Sequence, residues 1–320
     1  MSVWAPWWPH RHHLYPAAVG GDIGCGVAAL PFDVDVDAIT PRTGAAILSA
    51  LQHLVPIMRH TEPLPWPLDL AEAPPSGCVS IRQARQQLGT LGRGNHFLEL
   101  QADDTGTLWV TVHSGSRGPG KAIRDFHVGT RRPFDPIDAR APEGEAYLAD
   151  LLWARGYAQA NRHAMLYAAA AALERVLGAT PSVEGLIECD HNHVQCEDHH
   201  GPCWVHRKGA IPAHEGMLGV VPGSMGSATF HVEGRGCSDA LCSSAHGAGR
   251  ALTRTQARQQ IRAPDLVHQM RGVLFDPRKA HHLVEEAPGA YRDIERVMRA
   301  QRPLVRILRR LRPVLSHKGG

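Results

Sequence analysis

One histidine stands in a turn of small residues, SSAHGAGR at positions 243–250. Gly247 and Gly249 let the backbone approach a ligand closely. The stretch RALTRTQARQQI (250–261) has no glycine or proline and predicts a helix, whose first N–H groups could face an anion. His246 could therefore be a nucleophile, a metal ligand or a hydrogen-bond donor beside a phosphate. An ordinary glycine-rich turn is the plain alternative.

Side chains of the metal-ligand type cluster in four other stretches. Carboxylate, thiolate and imidazole groups are the ligands that divalent metals take from proteins. Asp22 and Cys25 are three residues apart in GGDIGCGV (20–27), a spacing that can bring both to one ion. A single histidine is usually a packed or surface side chain, but four such clusters together predict a metal site. The other three are GRGNHFLEL (92–100) with His96, VHSGSRG (112–118) with His113, and CDHNHV (189–194) with His191.

Two loops have the composition of phosphate-binding turns. The loop SGSRG (114–118) offers two hydroxyls, free amides and the guanidinium of Arg117, which can all donate hydrogen bonds to a phosphate. The turn VPGSMGS (221–227) can bring the amides around Ser224 close to a purine or a phosphate. A plain β-turn is the alternative for this second loop.

Three cysteines with histidines among them raise the alternative of a structural zinc site. Cys189, Cys196 and Cys203 are spaced by sevens. Structural zinc sites usually have tighter pairs such as C-x₂-C, and the sequence contains no CxxC. A closed zinc module is therefore the less favoured interpretation. The neighbouring histidines are His191, His193, His199, His200 and His206.

The composition is that of a globular protein. Of 320 residues 43% are hydrophobic, and the formal net charge of +3 is too small to imply a nucleic-acid partner by itself. No apolar run approaches the roughly 18 residues of a membrane-spanning helix. The opening MSVWAPWWPHRHHLYP lacks the features of a signal peptide. Seven cysteines, an odd number, fit a reducing compartment. We therefore expect a cytoplasmic protein with no membrane contact.

Hydrophobic spacing and glycine or proline breaks predict the elements that position these residues. Helices are predicted in PRTGAAILSALQHLVPIM (41–58), from about Glu145 to Leu177, and in the tail from Tyr291 with an interruption at Pro303. Strands are predicted in LGTLGRGNHFLEL, in GTLWVTVHSGSRG and in hairpins beyond residue 182. Because helices and short strands do not alternate regularly, the sequence predicts the α+β class and one domain over 1–320.

The C-terminal stretch is rich in arginine, and two interpretations stay open. The arginines could be the solvated face of a helix, or they could contact RNA phosphates. The predicted apolar stripe of that helix is Ile294, Val297, Met298, Leu304, Val305, Leu308 and Leu311.

Nine motifs in chain order make the sequence similar to the RtcB family of RNA-splicing ligases. They extend from about Pro16 to Gly319, and nine in this order are very improbable by chance. The motifs are DIGCGV, LGTLGRGNHFLEL, VHSGSRG, HNHV, RKGAIPAHEG, VPGSMGS, SSAHGAGR, EEAPGAYRDIERV and the terminal HKG.

The resemblance implies a fold and an activity. The fold would be an RtcB-like α+β core of mixed and antiparallel sheets flanked by helices. The enzyme would join RNA ends bearing a 2′,3′-cyclic phosphate or a 3′-phosphate to a 5′-hydroxyl, using GTP and two manganese ions. It would act in tRNA splicing or RNA repair, with an archease activator as a further possible partner. Ligand softness alone, with one thiolate and three imidazoles, would instead favour zinc.

The same resemblance implies residue roles, motif by motif. His246 would be the nucleophile that becomes covalently guanylylated. Apart from the resemblance, we expect Arg117 in the SGSRG loop and Arg162 in the long predicted helix to contact RNA phosphates. The metal ligands would be Asp22, Cys25 as the bridge between two ions, His96, His113 and His191. The guanine nucleotide would contact Asn95, Glu99, Asn192, Pro222, Gly223, Ser224, Met225, Thr229, Gly247, Ala248, Gly249, Tyr291 and Lys318.

The beginning of the chain departs from the family pattern. Family members usually carry a folded segment with a PDxHxGxGxxIG-like stretch before the Asp–Cys turn. Here only about twenty residues precede Asp22, and residues 1–15 are atypical. We therefore expect a short form without that segment. Two alternatives to a ligase stay open: a metal-dependent RNA-end phosphohydrolase or cyclic phosphodiesterase, and a non-catalytic RNA-binding homologue.

Overall fold

Strands outnumber helices in a computed structural model that describes residues 7–132 and 134–319. Within these residues there are nine α-helices and fourteen strands. The helices are α1 (Pro16–Val19), α2 (Pro41–Leu54), α3 (Ile81–Gln87), α4 (Arg117–Val128), α5 (Pro142–Leu177), α6 (Arg254–Gln260), α7 (Ala263–Gln269), α8 (Ala280–Leu283) and α9 (Ile294–Ala300). The strands are β1 (Trp7–His10), β2 (His13–Leu14), β3 (Gly26–Asp35), β4 (Phe97–Ala102), β5 (Thr107–Ser114), β6 (Ile137–Asp138), β7 (Ile187–Asp190), β8 (Asn192–Asp198), β9 (Pro202–Lys208), β10 (Ala210–Pro212), β11 (Leu218–Pro222), β12 (Thr229–Gly234), β13 (Ser243–Ala245) and β14 (Val305–Lys318).

Seven of the strands form one antiparallel sheet that curls almost into a barrel. Their spatial order is β11-β12-β14-β4-β5-β3-β7, and each neighbouring pair is antiparallel. The outer strands β11 and β7 approach each other, and the Val220 N–H donates to Cys189 Sγ across the gap (3.4 Å). Smaller sheets are β1-β9-β8, β10-β13 and β2-β6. The predicted α+β class, with antiparallel sheets at the core and helices around them, is confirmed.

The two faces of the sheet bury two different apolar clusters. Successive side chains of a strand point to opposite faces, so in β3 Ala28 belongs to one cluster and Val27 to the other. The first cluster contains residues of α2 and α5, with Leu100 and Met165 fully buried. The second contains residues of α9 and β12. Burial of these surfaces is the main force that holds helices and sheet together.

The longest helix, α5, has clear start and stop signals. Pro142 occupies its first turn, where the fixed φ of proline suits a helix. Gly178 ends it with a left-handed φ of 69°. The helix predicted from about Glu145 thus begins three residues earlier, at Pro142, and its predicted end at Leu177 is confirmed. The predicted helix at 41–58 is observed as α2, which begins at Pro41 as predicted and ends four residues early, at Leu54.

The prediction of a helical C-terminal tail is wrong beyond residue 300. Helix α9 ends at Ala300, and the chain continues as the fourteen-residue strand β14. The first half of this strand pairs with β12 and the second half with β4. Partners so distant in sequence decide its conformation, which local spacing does not reveal. The exposed arginines of β14 find surface partners: Arg306 pairs with Glu233 and Arg310 with Glu295.

The helix after the His246 turn begins later than predicted. Helix α6 starts at Arg254, and the side chain of its N-cap residue Thr253 accepts a hydrogen bond from Gln256 N. Arg250 instead forms an isolated β-bridge with Tyr291. The helix was expected to begin at Arg250, with its first N–H groups facing an anion. It begins four residues later, so this expectation is wrong.

The beginning of the described chain pairs with distant strands. Strand β1 is antiparallel to β9, and β2 is antiparallel to β6. The first six residues of the atypical segment 1–15 lie outside the described residues. None of the helices in the described ranges combines the length and hydrophobicity that crossing a membrane requires.

Candidate active site

The Asp22–Cys25 turn connects α1 to β3. Cys25 N–H donates to Asp22 O (3.1 Å), which closes the turn. The loop after β5 packs directly against the carboxylate, because a Cβ at position 115 would lie 2.4 Å from Asp22 Oδ1. Only glycine permits this approach. The loop that was predicted to bind phosphate is therefore adjacent to the predicted metal ligands.

Three histidines reach this turn from separate elements. His96 immediately precedes β4, His113 lies near the end of β5, and His191 lies between β7 and β8. Because β5 pairs with both β3 and β4, and β7 pairs with β3, these positions meet at one end of the sheet. His191 N–H also donates to Cys25 O (2.8 Å), which connects the third histidine to the turn.

The predicted metal ligands form two overlapping groups. Potential ligand atoms of Asp22, Cys25 and His96 all lie within 4.8 Å of one another. The same is true of Cys25, His113 and His191. Asp22 Oδ2 is 2.9 Å from His96 Nε2. The structure thus brings all five side chains together, with Cys25 in both groups.

Three distances within these groups fit a divalent cation, while the 2.9 Å between Asp22 Oδ2 and His96 Nε2 is a hydrogen-bond distance. Ligand atoms at about 2.0–2.3 Å from one tetrahedral ion lie roughly 3.3–3.8 Å apart. Cys25 Sγ is 3.5 Å from His96 Nε2 and 3.3 Å from His113 Nε2. His113 Nε2 is 3.3 Å from His191 Nε2. The spacing of these atoms therefore suits ligands that share an ion.

Backbone carbonyls orient two of the imidazole rings. His96 Nδ1 is 2.9 Å from Leu91 O, and His113 Nδ1 is 3.1 Å from Asn95 O. A ring that donates its Nδ1–H in this way presents the lone pair of Nε2 to the metal, as in many metal sites. Within the described residues, the buried Nδ1 of His191 has no hydrogen-bond partner.

The ionisable groups of the cluster influence one another. Burial raises the pKa of the Cys25 thiol, and the carboxylate of Asp22 raises it further. Burial would also raise the pKa of Asp22, but the charge and hydrogen bond of His96 outweigh it and leave this pKa low. Burial lowers the pKa values of His113 and His191, which keeps both rings neutral. Since the thiolate is the metal-binding form of cysteine, a cation is needed to favour it here.

A cavity of about 340 Å³ adjoins the metal-ligand cluster. Its wall includes His113, a member of the cluster, and His246, which is not one. Its volume lies in the range of small-ligand sites. All but two of the residues predicted to contact the nucleotide line this cavity. Those that line it are Asn95, Glu99, Pro222, Gly223, Ser224, Met225, Gly247, Ala248, Gly249, Tyr291 and Lys318.

His246 lies between the metal-ligand cluster and the cavity. Its ring centroid is 4.4 Å from that of His191, and the side chain also lines the cavity. Its Nδ1 lies 2.6 Å from Gly209 O. Donation of the Nδ1–H to this carbonyl leaves the Nε2 lone pair free. Burial lowers the pKa of His246, only partly opposed by the Gly209 carbonyl, and so favours the neutral ring that a nucleophile requires.

Charged groups also line the cavity. Lys318 Nζ is 3.4 Å from Glu286 Oε2 and donates to His96 O (3.3 Å). Tyr291 donates its hydroxyl hydrogen to Glu286, and Arg250 pairs with the same carboxylate at 3.2 Å. The last residues of β14 are therefore an ordered part of the site.

Glu99 is a buried carboxyl group in the same wall. Gln101 Nε2 donates to Glu99 Oε2 (2.8 Å), and Ser316 Oγ donates to Glu99 Oε1 (3.1 Å). Burial raises the pKa of Glu99 to about 7, although these hydrogen bonds and the charge of Lys318 lower it.

Two residues predicted to contact the nucleotide do not line the cavity. Thr229 Oγ1 accepts a hydrogen bond from Gln101 (2.9 Å). Asn192 donates to Asp22 O and accepts from Gly209 N–H, both at 3.1 Å. Asn192 thus connects the metal turn to the residue that orients His246. Direct contacts of Thr229 and Asn192 with a nucleotide stay predictions.

The two arginines assigned to RNA lie in different environments. Arg117 is partly exposed, lies beside Gly92 and His96, and donates to Ile57 O (3.2 Å). It remains a candidate for phosphate binding. Arg162 is only 3% exposed and donates inside the protein. Arg162 also lines a second cavity together with Glu188, and its contact with an RNA phosphate stays a prediction.

Sequence reasoning missed four residues of the cavity wall: Phe97, Arg250, Arg254 and Glu286. Phe97 lies in the motif LGTLGRGNHFLEL and Glu286 in EEAPGAYRDIERV, the motifs that also contain predicted nucleotide contacts. Arg250 is the last residue of SSAHGAGR. Arg254 offered no comparable signal, since it was assigned only to the following helix.

The alternative zinc module has no counterpart among the described residues. Cys189 and Cys203 are buried and Cys196 is exposed. Neither group of potential metal ligands found in residues 7–132 and 134–319 includes any of these three cysteines.

Comparisons with known proteins agree with the motif pattern. The family model described as "tRNA-splicing ligase RtcB" matches residues 69–319. "RNA-splicing ligase RtcB" of Escherichia coli (strain K12) is 34% identical over 331 residues, covering 91% of this chain and 80% of the relative. "RNA-splicing ligase RtcB" of Mycobacterium tuberculosis is 29% identical over 89% of this chain and 85% of its own length. "tRNA-splicing ligase RtcB" of Nanoarchaeum equitans is 27% identical, with 89% and 78% covered. The chain belongs to the RtcB family.

Proposed function

We propose that this protein is an RNA ligase that joins 3′-phosphate or 2′,3′-cyclic phosphate ends to 5′-hydroxyl ends, using GTP, two manganese ions and a covalent intermediate on His246. The observation that carries the proposal is the position of His246, between five metal-ligand side chains and a nucleotide-sized cavity. The names of the relatives, RNA-splicing ligase and tRNA-splicing ligase, support RNA as the polymer that is joined.

The chemistry begins at Nε2 of His246. With its Nδ1–H directed at Gly209 O, the neutral ring attacks the α-phosphorus of GTP, so that an N–P bond forms while the bond to pyrophosphate breaks. Water opens a 2′,3′-cyclic end to a 3′-phosphate and a 2′-hydroxyl. An oxygen of the RNA 3′-phosphate attacks the same phosphorus, the N–P bond breaks, and the imidazole returns to its neutral form. The 5′-hydroxyl then attacks the activated RNA phosphate and displaces GMP, with loss of its proton.

Asp22, Cys25, His96, His113 and His191 would hold the two ions. Bound there, the metal ions would neutralise phosphate charge and align the attacking and leaving groups. Softness of the ligands favours zinc over manganese, so the choice of manganese rests on the resemblance.

The other end of the cavity suits a guanine base. Glu99 presents a carboxyl group that can accept hydrogen bonds from donor groups on the edge of the ring. Lys318 supplies the complementary donor for a ring carbonyl. Phe97 and Tyr291 add aromatic surface to the wall. An adenine base lacks both the carbonyl and the ring N–H, which would make the site selective for guanine.

Transfer of label from α-³²P-GTP tests the proposal. Wild-type protein incubated with manganese should become covalently labelled, whereas His246→Ala should not. His268→Ala, which removes an exposed histidine of α7, is the matched control and should be labelled like wild type. An unlabelled wild type, or label that persists in His246→Ala, contradicts the mechanism.

Product analysis distinguishes ligation from hydrolysis. RNA halves with a 2′,3′-cyclic phosphate and a 5′-hydroxyl should yield joined product in the presence of GTP and manganese. Accumulation of an opened or dephosphorylated 3′ end without joined RNA would support the alternative of a phosphohydrolase or cyclic phosphodiesterase. Cytoplasmic location and an archease activator stay predictions.

A further inference from the structure

Two consecutive buried residues of α5 lie beneath the metal-ligand cluster. Asn161 is fully buried and Arg162 is 3% exposed. Neither coordinates the proposed ions, and neither lines the nucleotide cavity. Their polar atoms nevertheless bond to the chain segments that carry three of the five proposed ligands.

Arg162 connects the segments of Cys25 and His113. Its Nη1 donates to Gly24 O (2.7 Å) and to Ser114 O (3.1 Å). Gly24 directly precedes Cys25, and Ser114 directly follows His113. One nitrogen thus holds the backbone on either side of the contact between Cys25 Sγ and His113 Nε2.

Glu188 holds the guanidinium in this orientation. Arg162 Nε donates to Glu188 Oε1 at 2.8 Å. The second oxygen of Glu188 contacts His163 Nε2 (3.0 Å) and accepts from Gln159 Nε2 (2.9 Å). Both of these partners lie on α5, so the carboxylate of β7 is bound to the helix on both sides.

Asn161 performs a similar task for His96. Its side chain accepts from Thr90 N–H (3.1 Å) and donates to Ser114 Oγ (3.1 Å). Ser114 Oγ in turn donates to Leu91 O (2.9 Å), the same carbonyl that accepts from His96 Nδ1. The loop that orients His96 is therefore bonded to the residue after His113.

We infer that Arg162 is a positioning residue for the metal centre and acts with Asn161 to set the separation of Cys25, His113 and His96. A metal site tolerates only small deviations in ligand distance, and residues that hold ligands in place typically change metal affinity 10–100-fold when they are replaced. The planar guanidinium can bind the carboxylate and the carbonyls at once, which no other side chain reproduces. This inference rests on the proposed metal centre.

Cobalt titration tests this role without an activity measurement. Co²⁺ bound by a thiolate gives a ligand-to-metal charge-transfer absorption that reports the Cys25–metal bond. Metal-free wild type should develop this absorption as CoCl₂ is added. Arg162→Met should bind Co²⁺ roughly 10–100-fold more weakly and show less charge-transfer intensity at saturation. Equal affinity and an equal spectrum would overturn the inference.

Two further variants separate positioning from general loss of stability. Arg207 is also fully buried and pairs with a carboxylate, Glu197. Its other contacts go to Ser243, Leu241 O and His193 Nε2, and none of these residues is a proposed metal ligand. Arg207→Met should keep the wild-type spectrum and affinity even if it unfolds more easily. If Arg207→Met lost as much cobalt affinity as Arg162→Met, the loss would follow from removing any buried arginine. That result would also overturn the inference.

Arg162→Lys covers the case in which Arg162→Met does not fold. A lysine keeps the positive charge but not the fork of donors. The cobalt affinity of Arg162→Lys should therefore lie below that of wild type, and an affinity equal to wild type would count against the inference. Absence of the absorption in folded wild type would instead refute the proposed metal centre itself, so the two failures are distinguishable.

Discussion

Cys25 occupies a different position from the other four proposed ligands. Its sulfur belongs to both groups of ligand atoms, whereas Asp22 and His96 belong to one and His113 and His191 to the other. A thiolate can bridge two cations because its sulfur has several lone pairs. In the proposed metal centre, the sharing of this sulfur would let a turn of four residues serve two ions.

Replacement of single ligands should therefore have unequal effects on manganese binding. Asp22→Asn should weaken one of two sites, while Cys25→Ser should weaken both by about tenfold or more, because a hydroxyl replaces the bridging thiolate. Calorimetric titration with Mn²⁺ measures both affinities. Cys78→Ser, at a partly buried cysteine outside the cluster, is the control and should bind like wild type. Loss of only one site in Cys25→Ser would show that the sulfur does not bridge.

Strand β14 has two halves with different roles. The half that begins at Val305 exposes its arginines to solvent, and the half that ends at Lys318 is almost entirely buried. The second half lies between β4 and the segment around Leu274, whose N–H donates to Val314 O (2.8 Å). The strand thus runs from the surface of the sheet to Lys318 in the wall of the 340 Å³ cavity.

Two truncations to alanine in this strand should differ in their cost. Leu315 is fully buried, so Leu315→Ala should lower the free energy of unfolding by about 2–5 kcal/mol through lost packing and a cavity. Ile307 is 46% exposed on the same strand, and Ile307→Ala should cost about 0.5 kcal/mol or less. Chemical denaturation followed by tryptophan fluorescence measures both. Similar losses for the two variants would contradict the assignment of a buried second half.

The whole molecule encloses several neutral histidines in its core. His231 on β12 is fully buried against Trp109, with ring centroids 4.5 Å apart. Neither of its ring nitrogens has a hydrogen-bond partner within the described part of the chain. Burial lowers the pKa of His231 to about 3, and the charge of Arg309 adds to the effect. The folded protein therefore keeps this ring neutral where an unfolded chain would protonate it.

This difference predicts a loss of stability in acid. Below pH 6.5 the unfolded chain takes up a proton at His231 that the folded protein refuses, so the free energy of unfolding falls as the pH decreases toward 3. Between pH 7 and 5 this one residue should contribute about 2 kcal/mol of the loss. His231→Leu should lack that part of the pH dependence. Denaturation of both proteins at pH 7 and 5, in the presence of a chelator, measures it, and equal pH dependence would contradict the prediction.

Much of the candidate site could be predicted from sequence. Short motifs contain His246, the Asp22–Cys25 turn and each ligand histidine, and the order of the motifs indicated the family. Hydrophobic spacing predicted α5 to within three residues at its start, and Pro142 and Gly178 are the local signals at its two ends. These signals are local because turn geometry and helix ends depend on residues close together in the chain.

Only the tertiary structure decided how these pieces meet. It made the arginine-rich tail a strand, because β12 and β4 supply its hydrogen-bond partners from more than seventy residues away. It also buried Arg162 against Glu188 and Gly24 O, and it brought Glu286 and Arg254 to the cavity. The sequence by itself determined which side chains are available for metal and phosphate chemistry. Strand register and helix packing, which depend on residues far apart in the chain, determined which of them face the site.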